Sequence, residues 1–470
     1  MKAAPTKKIL WREPMKNLNW TKSIIMLFIA NLATHCSDSL QLSQNETSLV
    51  NEEEVVEKNE ESSPPEVPTA FQCDETREKK EPFAEGEGTE QSPYLVCSDL
   101  QLDQVRNHLS SHFKLMNHLN LEGKSFQPIG QNATPFQGVF DGNNLIISHF
   151  SYQISPSATS ETYVGLFGVI YNGTIKNLGL ENVSINSLTT RRAVGGLAGY
   201  ARNATILNSY TTGEINGIEK VGGLVGQLGE DYDSKTGQFV PEGSSIIHTY
   251  SKASVSGHSR VGGLVGESRQ SLIEESYSSG PVVAANHGGG LVGITLHQSY
   301  IYKSYSTSSV TNINLNVPAG TSLLGGLVGF FVGDSSIYYS YATGSVTSQY
   351  DWVGGLVGVS SGLIKDSYAT GKVSGRDFVG GLVGEMKAGS MFFSYSIGMV
   401  SGSNSVGGLI GKLVNPSTVT SSYWDTDTSE MAISGGGTGK TTSEMKMPST
   451  FSFWNFTNIW KIDNNYPTLR

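Results

Sequence analysis

Four groups of residues have types and spacing that could do chemistry. Ser434-Gly-Gly-Gly-Thr-Gly-Lys440-Thr441 is one residue short of a phosphate-binding loop, which needs Gly at the place of Ser434. Such a loop works by presenting backbone amides between a buried strand and a helix. Residues 424–433 are mostly polar, and Thr442 onward runs into Pro448, so both neighbours are missing and nucleotide binding is not expected. His108 and His112 stand four apart in residues 102–113, the one stretch that reads as a helix, where they could chelate a metal. A zinc protease would need Glu after the first histidine, and Leu109 is there instead. Asp231 and Asp233, and again Asp425 and Asp427, are paired carboxylates that could hold calcium or work on a sugar. A calcium loop would continue with Asp or Asn and then Gly, whereas Lys235 and Thr236 follow Asp231 at those places. Turn-forming aspartates are the simpler expectation, and no metal or other cofactor is called for.

What must position any such residue is a repeat. Between residues 164 and 411 a variant of Val-Gly-Gly-Leu-Val-Gly occurs nine times, with central leucines at Leu166, Leu197, Leu224, Leu264, Leu291, Leu327, Leu356, Leu382 and Leu409. A second element travels between these units: an apolar residue, two variable positions, Ser or Thr, then Tyr and a small residue. Its tyrosines are Tyr210, Tyr250, Tyr277, Tyr305, Tyr341, Tyr368, Tyr395 and Tyr423. Both markers recur at 26 to 40 residues, most often 27, which is the signature of a solenoid. The units are rich in Val, Ile, Tyr, Thr and Ser and lack helical periodicity, so stacked strands are expected. The fold class is therefore all-β: a parallel β-solenoid of about nine coils, with a short N-terminal helix and a C-terminal cap.

Glycine, 55 in 470 residues, exceeds the usual ~7% without a collagen period. A strand glycine costs about 0.5–1 kcal/mol relative to Ala, so glycine columns imply either positive φ at a bend or close approach of stacked backbones. The leucines between them are expected to point inward, as are the small residues beside tyrosine, such as Ser367 and Ala369.

The net charge of −10 is carried entirely by residues 51–90, which hold 14 acidic and 4 basic residues. With Pro64, Pro65 and Pro68, residues 37–91 read as a disordered acidic spacer. Farther upstream, Lys16 and Lys22 precede an apolar run at 24–33 that ends near Cys36. That run is too short to span a bilayer, which takes about 20 residues, but suits an export signal. Residues 1–36 are thus an export segment, either lipoprotein-type with Cys36 as the lipidation candidate or an ordinary secretory signal cut near Ala33. His35 is not the small residue a lipoprotein signal places there. Lipidation of Cys36 would leave Cys73 and Cys97 as a pair able to form a disulfide in an oxidising compartment.

The Gly-Gly-Leu-Val-Gly units resemble the GLUG motif of bacterial surface proteins, and the Ser-Tyr-Ala-Thr-Gly elements at Tyr341 and Tyr368 are similar to its usual partner. Residues 95–130, and Phe140-Asp-Gly-Asn143 after them, resemble the segment before such arrays and the first coil. Ser422-Tyr-Trp-Asp, Gly437 to Thr442, Trp454, Trp460 and Tyr466-Pro-Thr-Leu-Arg resemble the closing segment. This divides the chain into an N-terminal cap and first coil at 92–163, a GLUG-type solenoid at 164–421 and a C-terminal cap at 422–470. The resemblance implies a surface-exposed solenoid of the kind associated with adhesins, but the motif is structural and fixes no ligand.

The expectation is a non-catalytic protein, exported to the outer membrane or cell surface, lipid-anchored, and binding a protein or glycan of a host or matrix surface, with neither nucleic acid nor nucleotide as partner. A polysaccharide-active β-helix enzyme and a passive stalk are the alternatives. Insertions at 230–243 and 312–322 interrupt the period and are the expected binding loops, with Asp231, Tyr232, Asp233, Lys235, Phe239, Asn312 and Asn314 as contact candidates. If Cys36 carries the anchor, Cys36→Ala moves the protein from the detergent phase to the soluble phase in membrane partitioning. Mature protein whose N-terminal sequence reads through Cys36 unmodified would contradict it.

Overall fold

The computed structural model describes residues 71–153, 163–187, 193–230, 243–312 and 322–470. One coil illustrates the rest: Val353–Gly354, Val357–Ser360, Leu363–Lys365, Tyr368–Ala369 and Val373–Ser374 are short strands separated by bends. Each pairs in parallel with its equivalent one coil on, Val353 with Val379, Val357 with Val383, Ile364 with Met391, Tyr368 with Tyr395 and Val373 with Val400. The repeat spacing read from the sequence is thus the strand register, and the chain is a parallel β-solenoid. The strands before Leu-Val-Gly form an eight-stranded sheet and those after it a nine-stranded sheet.

Leucine packs the axis. All nine motif leucines, from Leu166 to Leu409, are fully buried, as are Val221, Val261, Val353 and Val379 on the preceding strand. Burying each such side chain contributes about 1.5–3 kcal/mol, most of it offset by ordering the chain. The narrowness of the interior is set by the small residues: Ser367 and Ala369, on either side of Tyr368, are fully buried.

The glycine columns answer to close approach, not to bend geometry. A Cβ at Gly290 would overlap the carbonyl of Gly326 in the next coil and the hydroxyl of Ser306 across the interior. The column facing them donates hydroxyls to the glycine carbonyls, Thr211 to Gly223 O and Ser396 to Gly408 O, each at 2.7 Å. At the C-terminal end Trp424 takes the place of that small residue, and its indole fills the space beside Gly408 and ends the array.

Positive φ falls instead on residues with side chains. The residue before each Ser/Thr-Tyr pair, Asn208, His248, Glu275, Lys303, Tyr339, Asp366, Phe393 and Ser421, has φ between 45° and 52°. Lys220, Arg260, Trp352, Phe378 and Ser405, each just before a Val-Gly-Gly unit, have φ between 51° and 58°. The left-handed conformation costs an L-residue roughly 1–2 kcal/mol. What holds the first column there is the residue that follows. Ser304 Oγ donates to Tyr302 O at 2.9 Å and accepts from Ser276 N–H at 3.1 Å; Ser340, Ser367 and Ser394 repeat both bonds. A buried serine ladder therefore closes each bend and ties it to the coil before.

At the N-terminus the coil stacking begins before the first glycine motif. Tyr94–Val96, His112–Leu115, Val139–Ser148 and Thr174–Ser187 already pair in parallel, in that order. The expectation of disorder through residue 91 does not hold for residues 71–91. Residues 71–91 belong to the folded unit, because Phe83 and Ala84 are buried and Cys73 is disulfide-bonded to Cys97 with a Cα–Cα distance of 5.6 Å. The helix lies at Asp99–Gln104, capped by Ser98 and continued by the 3-10 turn Val105–Asn107, not at 102–113. His112 begins a strand, and His108 packs edge-on against Phe83 and Tyr94, so the two histidines do not share a helix face.

Because Gly290 faces the backbone of Gly326, which cannot move without shifting a whole coil, Gly290→Ala is expected to lower stability by about 1–3 kcal/mol. Thermal melting of the variant checks this, and an unchanged melting temperature would show that the columns are not close-packed.

Candidate functional site

Several of the residues singled out above hold the fold together. Asp425 is fully buried. Its Oδ1 accepts from the N–H groups of Asp427 (2.8 Å) and Thr428 (3.1 Å), and its Oδ2 from the hydroxyls of Thr442 (2.7 Å) and Tyr466 (2.6 Å). Four donors use the acceptor sites of that carboxylate. It caps the short helix Thr426–Ser429 and pins the cap beneath the last coil. Asp427 accepts from Thr442 N–H at 2.9 Å. Lys440 ends the strand Thr438–Lys440 and its Nζ bonds Glu444 at 3.0 Å, inside a capping box between Thr441 and Glu444. The Thr441 N–H, with Lys440, holds the Glu444 carboxyl down to about 2. The glycines of this segment thus lead into a strand, and the lysine is already paired. Among the described residues no three His, Cys, Asp or Glu side chains are grouped to hold a metal.

Of the expected contact loops, Asp231, Tyr232, Asp233, Lys235, Phe239 and Asn314 lie outside the described residues, as does Cys36. Asn312 is described and is not a free contact residue. It ends the strand Val310–Asn312, and its amide donates to Ala284 O at 3.4 Å and Ala285 O at 3.1 Å, locking the coil to its predecessor.

The tyrosine column, a repeat marker in the sequence, becomes a surface in the structure. From Tyr210 through Tyr395 the phenol rings stack with centroids 4.8–5.1 Å apart and planes within 1–9°. The spacing is that of the paired strands beneath. Tyr210, Tyr250, Tyr277 and Tyr305 are half-exposed, whereas Tyr368 and Tyr395 are buried under the C-terminal segment. Each ring covers its neighbours' faces, so the open ladder offers edges and hydroxyls. Along one flank run the left-handed residues, whose side chains differ from coil to coil: exposed His248, Glu275 and Lys303, then Tyr339. Glu275 bonds His248 at 2.7 Å and Lys303 at 3.1 Å, and these two partners hold its carboxyl below its ordinary range.

A second ridge lies at the corner before the Val-Gly-Gly strands. Buried Glu267 is 2.8 Å from Arg260, 2.7 Å from Arg269 and 3.6 Å from Lys220. His287 stacks on Phe330, and burial, with Arg260 nearby, lowers its imidazole to about 4. Farther along, Trp352 stacks on Phe378 and donates to Glu385 at 2.8 Å. These side chains engage one another.

The GLUG motif family matches residues 190–216 and 320–347. The chain is thus a parallel β-solenoid carrying GLUG motifs. A candidate Gly-rich membrane protein of Evansella cellulosilytica is 34% identical over 194 residues, 33% of this chain and 22% of that one. Halomucin of Haloquadratum walsbyi is 36% identical over 163 residues, 31% of this chain and 2% of that one. The chain therefore spans well under two thirds of the length of the curated relatives it matches. A crystal structure of a candidate immunoglobulin A1 protease from Bacteroides ovatus aligns over 83% of this chain and 95% of that one, at 20% identity and a TM-score of 0.40.

The stacked phenols make a prediction about alkali. Burial first, and then neighbouring acids or phenols, raises Tyr250 and Tyr277 above the ordinary 10.0, and burial alone raises Tyr305. The folded pKa values exceed the unfolded ones, so this contribution to stability is complete below pH 10 and is lost as pH rises through the raised values. The melting temperature should hold level from neutral pH to about pH 9 and fall above pH 10, and Tyr277→Phe with Tyr305→Phe should lessen the fall. Phenolate absorbance during a pH titration checks it.

Proposed function

We propose that this chain is an exported, lipid-anchored and non-catalytic surface protein whose solenoid adheres to a protein or glycan of a host or matrix surface. The observation that carries this reading is the half-exposed tyrosine ladder with its flank of differing side chains. It is a long, evenly spaced row of contact groups on a rigid scaffold, the arrangement that recognition uses when specificity rests on many small contacts. The engagement of Asp425, Asp427, Lys440 and Glu444 within the cap favours a structural use of the residues best suited to chemistry. The Cys73–Cys97 disulfide favours an oxidising location outside the cytoplasm, and one relative is named as a membrane protein. Cys36 serves as the anchor, the acidic segment as the spacer behind it, and the insertions at 230–243 and 312–322 as additional contact loops.

The test is a binding screen of the intact chain against matrix proteins and glycans, alongside an assay for reducing ends released from polysaccharides. Saturable binding without sugar release is expected. Shortening both insertions should weaken that binding at least tenfold while leaving the melting temperature nearly unchanged, because stacking depends on the Gly, Leu and Val columns. Release of reducing ends would overturn the non-catalytic reading, and full affinity after shortening would remove the loops from the site and leave it on the tyrosine ladder alone.

A further inference from the structure

The C-terminal segment lies on the tyrosine ladder and so displays what this surface can hold. Trp460 sits 6.1 Å from Tyr368 and 6.0 Å from Tyr395, ring centre to ring centre, and its indole N–H donates to Asp366 Oδ1 at 3.0 Å. Trp454 lies 6.2 Å from Tyr395 and 6.1 Å from Tyr423 and donates to Ser421 O at 2.9 Å. The Tyr395 hydroxyl donates to Pro467 O. The indoles meet the phenol edges at 41–54°, the tilted approach that ring edges allow. Each indole N–H is taken by a group of the left-handed column, a carboxylate in one case and a backbone carbonyl in the other.

A solenoid repeats its surface by translation. Moving three coils toward the N-terminus carries Tyr368 and Tyr395 onto Tyr277 and Tyr305, and Asp366 onto Glu275, which has the same left-handed backbone, φ 46° against 50°. The same shift carries Ser421 and Tyr423 onto Tyr339 and Tyr341. Tyr341 already touches the edge of the cap, so the open ladder continues directly from the covered one.

We propose that the open ladder from Tyr210 to Tyr341 is a docking groove for a turn-forming polypeptide bearing two aromatic N–H side chains packed against each other, of which Trp454 and Trp460 of the cap, with ring centres 4.5 Å apart, are the built-in example. The ligand's rings lie along the edges of Tyr277 and Tyr305, and Glu275, at the cost of its bond to His248 or Lys303, accepts an indole N–H as Asp366 does. A flat sugar face is the poorer fit, since the ring faces it would stack on are covered. This goes beyond the adhesive reading and does not depend on it: the partner is defined by the cap, not by a matrix ligand.

The probe is a synthetic peptide of residues 444–470, labelled with a fluorophore and added to the intact chain. Saturable one-to-one binding is expected, lost at least tenfold with Trp454→Ala and Trp460→Ala in the peptide and at least tenfold with Tyr277→Ala and Tyr305→Ala in the protein. Absence of binding overturns the proposal. So does binding that the tyrosine replacements leave intact, which would mean that the peptide exchanges with the chain's own cap, and so does an oligosaccharide that occupies the open ladder when the peptide does not. Should the double tyrosine variant fail to fold, a photo-reactive group at peptide position 454 gives the second measurement. Cross-links to the coils of Tyr250 to Tyr341 support the groove, and cross-links confined elsewhere overturn it.

Discussion

The structure depends on how closely one backbone can lie on the next across the Val-Gly-Gly columns. Strand pairing sets the coil spacing along the axis, but the width of the coil is set by how near the glycine strands come to the serine and alanine column opposite them. With no Cβ at Gly223 or Gly290, the facing hydroxyls of Thr211 and Ser278 reach the glycine carbonyls directly. The interior is then narrow enough for one leucine and a few valines per coil to fill it. Any side chain at those positions would prise the coil open, and an in-register stack passes such a distortion to its neighbours.

That narrowness has to be compensated at the bends. From Glu219 on the chain turns sharply between strands of only two to five residues, and the turning residue is forced into the left-handed region in coil after coil. Glycine would accept this without strain, yet Glu275, Lys303, Asp366 and Phe393 stand there. The serine ladder supplies the constraint, bonding the carbonyl two residues back and receiving an amide from the previous coil. The result is a column of side chains held outward at fixed spacing and free to differ, because none of them carries the stacking.

Function follows from the same division of labour. The ladder and its left-handed flank are rigid because every coil beneath them is alike in backbone, and they are chemically varied because only the outward positions change. The C-terminal segment uses this surface once, on Tyr368, Tyr395 and Tyr423, and in doing so closes the end of the solenoid with Trp424, Asp425 and the two indoles. Upstream the surface is open.

The period, the strand composition and the inward leucines are legible in the residues alone, since in-register stacking turns a sequence repeat into a spatial one without further information. The fold of residues 71–91 is not: nothing local marks them as folded, and it is the Cys73–Cys97 bond and the packing of Phe83 on Tyr94, His108 and Phe113 that make them so. A helix at 102–113 fits one short window of sequence, but His112 and Phe113 join a strand pairing with Val139 and Phe140, a contact that such a window cannot reveal. Glycine columns fit a turn or a close contact equally well, and only the backbone angles decide for contact. The carboxylates of the cap look able to do chemistry because their partners, Thr442 and Tyr466, lie 17 and 41 residues away. Sequence by itself determined the coil and its period, because those rest on repeated local patterns; tertiary structure decided which side chains face solvent with hydrogen-bonding capacity to spare, because that depends on residues brought together from separate coils and from the cap.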